Sequence, residues 1–427
     1  MKKKINSFLE YLGHFFIFFS CYFKLPSLCA YLIRISILKN KIFKNELRGK
    51  KIIIVLDRLV GHREVEIIRK STNKAPEFLF LRRSITKLIF FYFCNKKKIF
   101  FDYRRPMKYK EGKKYYFNQN KTDQKEYEQF WTDIIFNLKK YYSNKILNFV
   151  TFNYTYYDEV GLYTGCKRNN VPIKLWYKEG IKTALEAEHT VKASQFNHML
   201  KFFSKISVYN KIVKKMFVKM DKSNSKKVSI NGCPRLYDYI IKKKYQKKIK
   251  NILFLSFDSK RGIPQYKKNK NLNWNFSYNK VIKILNELSN DNNLNIVIKR
   301  KNKVTYRTPY QIDNRIKIFE SGTAEQFINH ADIIIGHNSA STIEALVNGK
   351  YVMVPFFEKK LIPKKYLYNF NKEVIYTSEK KMKKNILNLV NKKVSFPLKN
   401  KKHQKTIEYY LGNSKNITKK YLNFLNS

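Results

Sequence analysis

"ADIIIGHNSASTIEALVNGKYVMVPF", residues Ala331–Phe356, is the stretch that decides how this chain is read. An apolar run, Ile333–Ile335, stops at Gly336. Small hydroxyl and amide residues follow, then a helical pattern over Ser341–Val347, then the apolar run of "KYVMVPF". A strand, a short turn, a helix and another strand make the repeating unit of a parallel sheet, whose neighbours need a crossover. The first turn of a helix carries unpaired N–H groups and a partial positive charge, so the turn here suits a phosphate. Asn338, Ser339, Ser341 and Thr342 offer polar groups without bulk, and Ala340 lets a ligand approach the backbone. The local alternative is a capping box, Ser341 with Glu344, with the helix ended at Gly349.

The same alternation runs outward in both directions. "KIIIVLD" from Lys51 reads as a buried strand and "HREVEIIRKS" as the helix after it. "EFLFL", "KIFFDY", "ILNFVTF", "IKLWYK" and "VSING" are further strands. A second series holds "NILFLSF", a helix around Tyr278–Leu288, "LNIVIKR", "RIKIFE", a helix at Ala324–Asn329, and "KEVIYT". Apolar runs without strict alternation mean sheets covered on both faces. The expected fold is α/β: two Rossmann-like, doubly wound parallel-sheet domains facing a central cleft, over 50–235 and 250–380. An apolar helical segment, 1–45, precedes them, and a lysine-rich helical segment, 381–427, follows. The polar stretch Lys242–Lys250 suits a hinge, and ligands of such sheets bind at the carboxyl ends of the strands.

A chain of 427 residues with 44% hydrophobic and 16% aromatic residues folds, and it is long enough for two or three domains. Its formal net charge is +57, which concentrates anions near the surface. The lysines are scattered, and no recognition helix, zinc-finger spacing or RNP-like motif accompanies them, so specific nucleic-acid binding is not expected. Five cysteines form no CxxC pair, which suits a reducing compartment. In the first forty residues, Glu10, His14, Lys24, Pro26 and Arg34 interrupt the apolar run. That leaves no clean span of about 20 apolar residues, and two helices separated at Pro26 and lying in a membrane interface fit better; a true span and a helical pair packed onto the first domain are the alternatives.

The Ala331–Phe356 stretch resembles the nucleotide-sugar-binding motif of GT-B glycosyltransferases, nearest to bacterial surface-carbohydrate and capsule-polysaccharide biosynthesis proteins. "DRLVGHREVEII", "LWYKEG", "VSINGCPRLYDY" and "LNIVIKRK" agree with that family in order, so the resemblance covers most of Lys51–Thr377. It implies that Ser339, Ser341 and Thr342 hold the donor's phosphates with Asn338 beside them, and that Lys299 neutralises phosphate charge. Glu344 would bond ribose hydroxyls. Phe319, Glu320 and Ser321, with Gly322, would lie against the nucleobase, and Ser256 and Asp258 would line the cleft floor. Arg300 and Lys301 stand where the family commonly has His-Pro.

Sugar transfer with inversion needs a general base for the acceptor and stabilisation of the leaving diphosphate. Glu179, just past a strand and before Gly180, is the preferred base, and His62 is the second candidate. Arg63 and Glu64 are placed to bind acceptor or donor, while Asp57 reads equally as a helix cap. Asp-x-Asp, HExxH, GxxxxGK[ST] and GxGxxG are all missing, so no metal and no cofactor besides the nucleotide-sugar donor is expected. The expected partners are that donor, a glycan or lipid-linked acceptor, and an anionic membrane surface. The expected location is the cytoplasmic face of a bacterial inner membrane, held peripherally. Rival readings are a nucleotide-sugar 2-epimerase, a glycerol-phosphate-type transferase, or a non-catalytic basic membrane-associated protein.

Overall fold

The computed structural model of the chain describes residues 2–38, 51–57, 59–72, 75–94, 109–117, 120–182, 184–192, 197–236, 249–256, 275–291, 293–300, 310–336, 340–357, 372–391, 401–412 and 416–427. The apolar runs form two six-stranded sheets. The first contains β1 (Ile52–Asp57), β2 (Glu77–Arg82), β3 (Ile146–Thr151), β4 (Ile173–Trp176), β5 (Lys205–Val208) and β6 (Val228–Ile230). Their order is β2-β1-β3-β4-β5-β6, parallel throughout. The second contains β7 (Asn251–Leu255), β8 (Asn295–Lys299), β9 (Lys317–Phe319), β10 (Ile333–Gly336), β11 (Tyr351–Pro355) and β12 (Ile375–Tyr376). Their order is β12-β11-β10-β7-β8-β9, again parallel throughout. The expected strands at Lys98–Tyr103 and the hinge at 242–248 lie outside the described residues.

The first half carries α1 (Lys2–Tyr22), α2 (Pro26–Leu38), α3 (Leu59–Lys70), α4 (Arg83–Cys94), α5 (Tyr109–Phe117), α6 (Lys121–Tyr141), α7 (Val160–Arg168), α8 (Ala184–Lys192) and α9 (Lys211–Met220). The second carries α10 (Asn275–Leu288), α11 (Ala324–His330), α12 (Ala340–Val347) and α13 (Glu379–Asn391). The chain ends in α14 (Lys401–Leu411) and α15 (Ile417–Asn426). Covering both sheet faces is what the Ile/Val runs require: Ile52, Ile54 and Leu56 enter one core, while Ile53 and Val55 enter another. In the second sheet Ile333 and Ile335 pack toward α10 and α13, and Ile334 toward α11 and α12.

Two features of the packing position the site. The chain recrosses to the first sheet at its end: Tyr421 of α15 stacks on Trp176 of β4 at 4.2 Å, and its hydroxyl donates to the Gly232 carbonyl at 2.8 Å. The Cys233 N–H, just beyond β6, donates to the last carbonyl of α14, that of Leu411, at 3.0 Å. At the other end of the chain, Pro26 opens α2, where its missing N–H costs nothing. α1 and α2 form a hairpin packed on α4 and α6, through buried Ile17, Cys21, Cys29 and Ile33. Among the described residues no helix is long and apolar enough to cross a membrane.

Candidate active site

Each sheet reverses its strand order once, between β1 and β3 in the first and between β7 and β10 in the second. At such a reversal the following helices leave toward opposite faces, and a crevice opens outside the carboxyl ends of the strands. Of the candidates, His62 stands at the first crevice, and Ser256 and Ser341 stand at the second.

At the first, Asp57 ends β1 and His62 lies in the opening turn of α3. His62 Nε2 pairs with Asp57 Oδ1, and the imidazole packs 4.2 Å from the Phe80 ring on β2. With Nε2–H given to the carboxylate, Nδ1 is the nitrogen left to accept a proton. Gly61 makes this seat possible, because a Cβ there would come within 2.1 Å of the Phe152 ring beyond β3. Glu179 stands past β4, exposed, with its charge beside Tyr154 and Tyr177, whose pKa values are raised by burial and further by that carboxylate. Two strand spacings, on the order of 10 Å, separate the ends of β1 and β4, so Glu179 and His62 belong to different parts of the edge.

The next two residues of α3 reach the second half. Arg63 pairs with Glu325 of α11. Glu64 is fully buried, takes the Tyr209 hydroxyl, and meets Arg235 Nε at 3.0 Å. The same guanidinium places Nη1 3.2 Å from Glu344 of α12. Arg235 lies just beyond β6, so one cation joins a carboxylate from each half. Burial pushes both carboxyls up, and Arg235 pulls both down. Burial also opposes the Arg235 charge, but Tyr209, Cys233 and the two carboxylates outweigh it and raise its pKa. The Cys233 thiol beside them is pushed up to about 12 by burial.

At the second crevice Gly336 pairs in register with Leu255. Ser256, next after β7, is nearly buried. Its N–H donates to the Lys299 carbonyl at 3.0 Å, and its Oγ has no hydrogen-bond partner among the described residues. Ala340 is exposed and Ser341 half-buried at the start of α12. His337, Asn338 and Ser339 lie outside the described residues, as does Asp258.

Three sequence expectations change here. Thr342 is fully buried, its methyl 2.6 Å from where a Cβ on Gly336 would stand, so it packs against the end of β10. Ser341 lies inside α12, one residue past its first, so the Ser341–Glu344 pair is not the frame of the helix start, and Glu344 meets Arg235. Lys299 is nearly buried and donates to the carbonyls of Arg300 at 2.5 Å and Glu320 at 3.1 Å, tying β8 to the loop after β9. Burial lowers its pKa, against the pull of Glu320. Arg300 Nη1, 3.6 Å from the Glu320 carboxylate, is the neighbouring cation.

The loop from Phe319 to Gly322 is exposed, and Gly322 takes φ +87°, a backbone that favours glycine. Phe319 and Phe327 rings lie 5.1 Å apart over a cavity of about 300 Å³ beneath α11, which Ser321, Gly322 and Gln326 also line. Among the described residues no three His, Cys, Asp or Glu side chains are grouped as a metal site. Sequence reasoning missed Arg235 and the pairing of Asp57 with His62. The second had a signal: an acid closing a strand, five residues before a histidine in the next helix.

No family model matches the chain, and no curated protein does. Comparison with solved structures gives likenesses of low identity. A UDP-GlcNAc 2-epimerase from Methanocaldococcus jannaschii is 11% identical, with 87% of this chain and 98% of that one covered at a TM-score of 0.49. The S. aureus protein MnaA, solved with UDP, is 11% identical over 88% and 98%, at 0.46. An E. coli trehalose-6-phosphate protein bound with UDP-2-fluoro glucose is 7% identical over 88% and 99%, at 0.45. At such scores the function has to be argued from the site.

Proposed function

We propose that this chain is a GT-B-type glycosyltransferase, passing a sugar from a nucleotide-sugar donor to a lipid-linked or polysaccharide acceptor in surface-polysaccharide (capsule) biosynthesis. The observation that carries the reading is the pairing of two unlike crevices. A histidine–aspartate pair stands at one, and a small-residue helix start with the unsatisfied Ser256 hydroxyl stands at the other. Ion pairs Arg63–Glu325 and Arg235–Glu344 hold the halves together beside them. The donor's diphosphate docks at the α12 start, with Ser341 and Ser256 as hydroxyl donors and Asn338 and Ser339 from the preceding turn. The Phe319–Gly322 loop takes the nucleobase. His62 Nδ1 removes the acceptor hydroxyl proton as that oxygen attacks the anomeric carbon and the diphosphate leaves, with inversion. Backbone N–H groups and Arg300 stabilise the leaving charge, so no metal is used. Glu179 is the base if His62 is not. The protein works peripherally at the cytoplasmic face of a bacterial inner membrane.

A second reading has its own observation. Asp57, Glu64 and Glu344 gather around the His62 segment, and nucleotide-sugar 2-epimerases use acids and a histidine around one sugar. One experiment separates the two. The protein is incubated with UDP-, GDP- and CMP-sugars, with and without acceptor, and followed by NMR. Nucleotide released only with acceptor supports transfer, and a new sugar epimer without acceptor supports epimerisation. If no nucleotide sugar binds, both readings are overturned.

A further inference from the structure

The α1–α2 hairpin is packed on one side only. On its inner side His14, Ile17 and Cys21 are buried, spaced three and four residues apart. On the outer side Leu12, Phe15, Phe16, Phe19, Tyr22 and Phe23 are exposed, at the same helical spacing. α2 continues this surface with Leu28, Tyr31 and Ile35, all exposed, and Leu25 extends it across the turn. A contiguous exposed apolar surface on a soluble-sized fold marks an interaction site.

Three observations name the occupant. First, the stripe is mostly aromatic and holds no acidic residue. Aromatic side chains of this kind concentrate at the boundary between acyl chains and headgroups. Second, the rim is basic. Lys24 projects from the turn, where it also meets Glu126 at 3.2 Å, half-buried Arg34 lies 5.6 Å from the Tyr141 ring, and Lys140 of α6 sits 4.5 Å over the exposed Phe136. Such side chains lie along apolar surface and lift their charges to the headgroups. Third, the chain carries a net charge of +57, so an anionic surface attracts it from any approach. A second copy of this chain would bring the same charge with it.

We propose that the outer face of the α1–α2 hairpin lies in the headgroup region of an anionic lipid bilayer, with both helices parallel to the membrane plane. This names the surface for the membrane association proposed above. The hairpin is tied to the catalytic half: Glu10 pairs with Arg82 at 2.7 Å, and His14 Nε2 meets Ser84 Oγ at 3.0 Å. Both partners stand at the carboxyl end of β2, beside the strand that carries Asp57. Docking through this face therefore holds the acceptor-side crevice near the membrane surface, where a lipid-linked acceptor lies.

The test is vesicle flotation of the full chain with phosphatidylcholine alone and with 30% phosphatidylglycerol, about the content that gives an anionic surface potential. The comparison is with F15S/F16S/F19S, all exposed positions that leave the packed side intact. Expected is flotation with anionic vesicles, reduced about a hundredfold in partition by the triple change, since apolar burial drives the insertion. A wild type that fails to float at low salt overturns the proposal. Equal flotation of the variant overturns the face, leaving charge alone as the cause. A wild-type dimer that the three changes dissociate, without flotation, assigns the face to a second copy and also overturns it. Binding of UDP-, GDP- and CMP-sugars, titrated on the same two preparations, tests the nucleotide-sugar reading separately, since it is expected to be the same in both.

Discussion

Arg235, on the segment leaving the first sheet, holds Glu344 of the second half at 3.2 Å while its Nε lies 3.0 Å from Glu64 of the first. Two buried carboxylates share one cation. Removing one carboxylate leaves a simple pair, whereas removing the cation leaves two like charges buried together. Arg235→Met is therefore expected to cost about 3–5 kcal/mol in urea unfolding, and Glu64→Gln much less. The pH dependence follows from the directions of the shifts. Both carboxyl pKa values are raised above 4.5, so the folded state holds protons that the unfolded state has released, and stability from these groups falls as pH rises through the folded values. Without Arg235 the shift grows. The deficit of Arg235→Met should then shrink between pH 7 and pH 5. A deficit independent of pH would mean the carboxylates are not what the arginine balances.

His62 and Asp57 give the second prediction. His62→Asn should lower kcat by about 10²- to 10⁴-fold while donor affinity stays within about twofold, because a base acts in the transition state and not on the bound nucleotide. Asp57→Asn should fall less, since it orients the imidazole and fixes its tautomer. Glu179→Gln is the control. If that change abolishes turnover and His62→Asn does not, the base is Glu179.

The diphosphate site gives the third. Ser341→Ala should weaken donor binding by about tenfold, the worth of one hydrogen bond to a charged group, and leave the fold intact because Ser341 is only half-buried. Thr342→Ala should act on stability instead, since its methyl is packed against Gly336. EDTA should leave turnover unchanged. Activity lost to EDTA and restored by Mg²⁺ or Mn²⁺ would refute the metal-independent mechanism.

The sheets were legible because Ile, Val, Leu and Phe runs have to be buried on both faces, and ten or so such runs in alternation admit few other folds. β5 escaped notice because Lys205–Val208 has only three apolar or neutral residues inward of a lysine, too short to show a period. The burial of Thr342 has a signal in the sequence, since Leu346, four residues on, marks that side of α12 as the packed one. Arg235 had no local signal at all: its partners are in α3 and α12, far along the chain in both directions. The same holds for α15. "ITKKYLNFLN" reads as an amphipathic helix, but nothing in its pattern says that it returns to the first sheet.

That return rests on two buried donors, and they make the last prediction. Lys174 of β4 is almost wholly buried, and its Nζ donates to the Phe424 and Leu425 carbonyls at 2.8 and 2.9 Å, closing the last turn of α15. Asn148 of β3 adds a bond to the Leu425 carbonyl at 2.6 Å. Deleting residues 417–427 would strand both donors and uncover Trp176, Ile53 and Val55, so the truncated chain is expected to aggregate. Lys174→Met is subtler. Burial lowers the lysine pKa to about 8, so between pH 8 and its ordinary 10.5 the unfolded chain binds the proton that the folded chain has lost. Stability from this residue accordingly rises with pH across that window. Lys174→Met lacks the rise, and against wild type it should compare better at pH 7 than at pH 10 in urea unfolding. An offset that is the same at both pH values would show that Lys174 keeps its charge when folded.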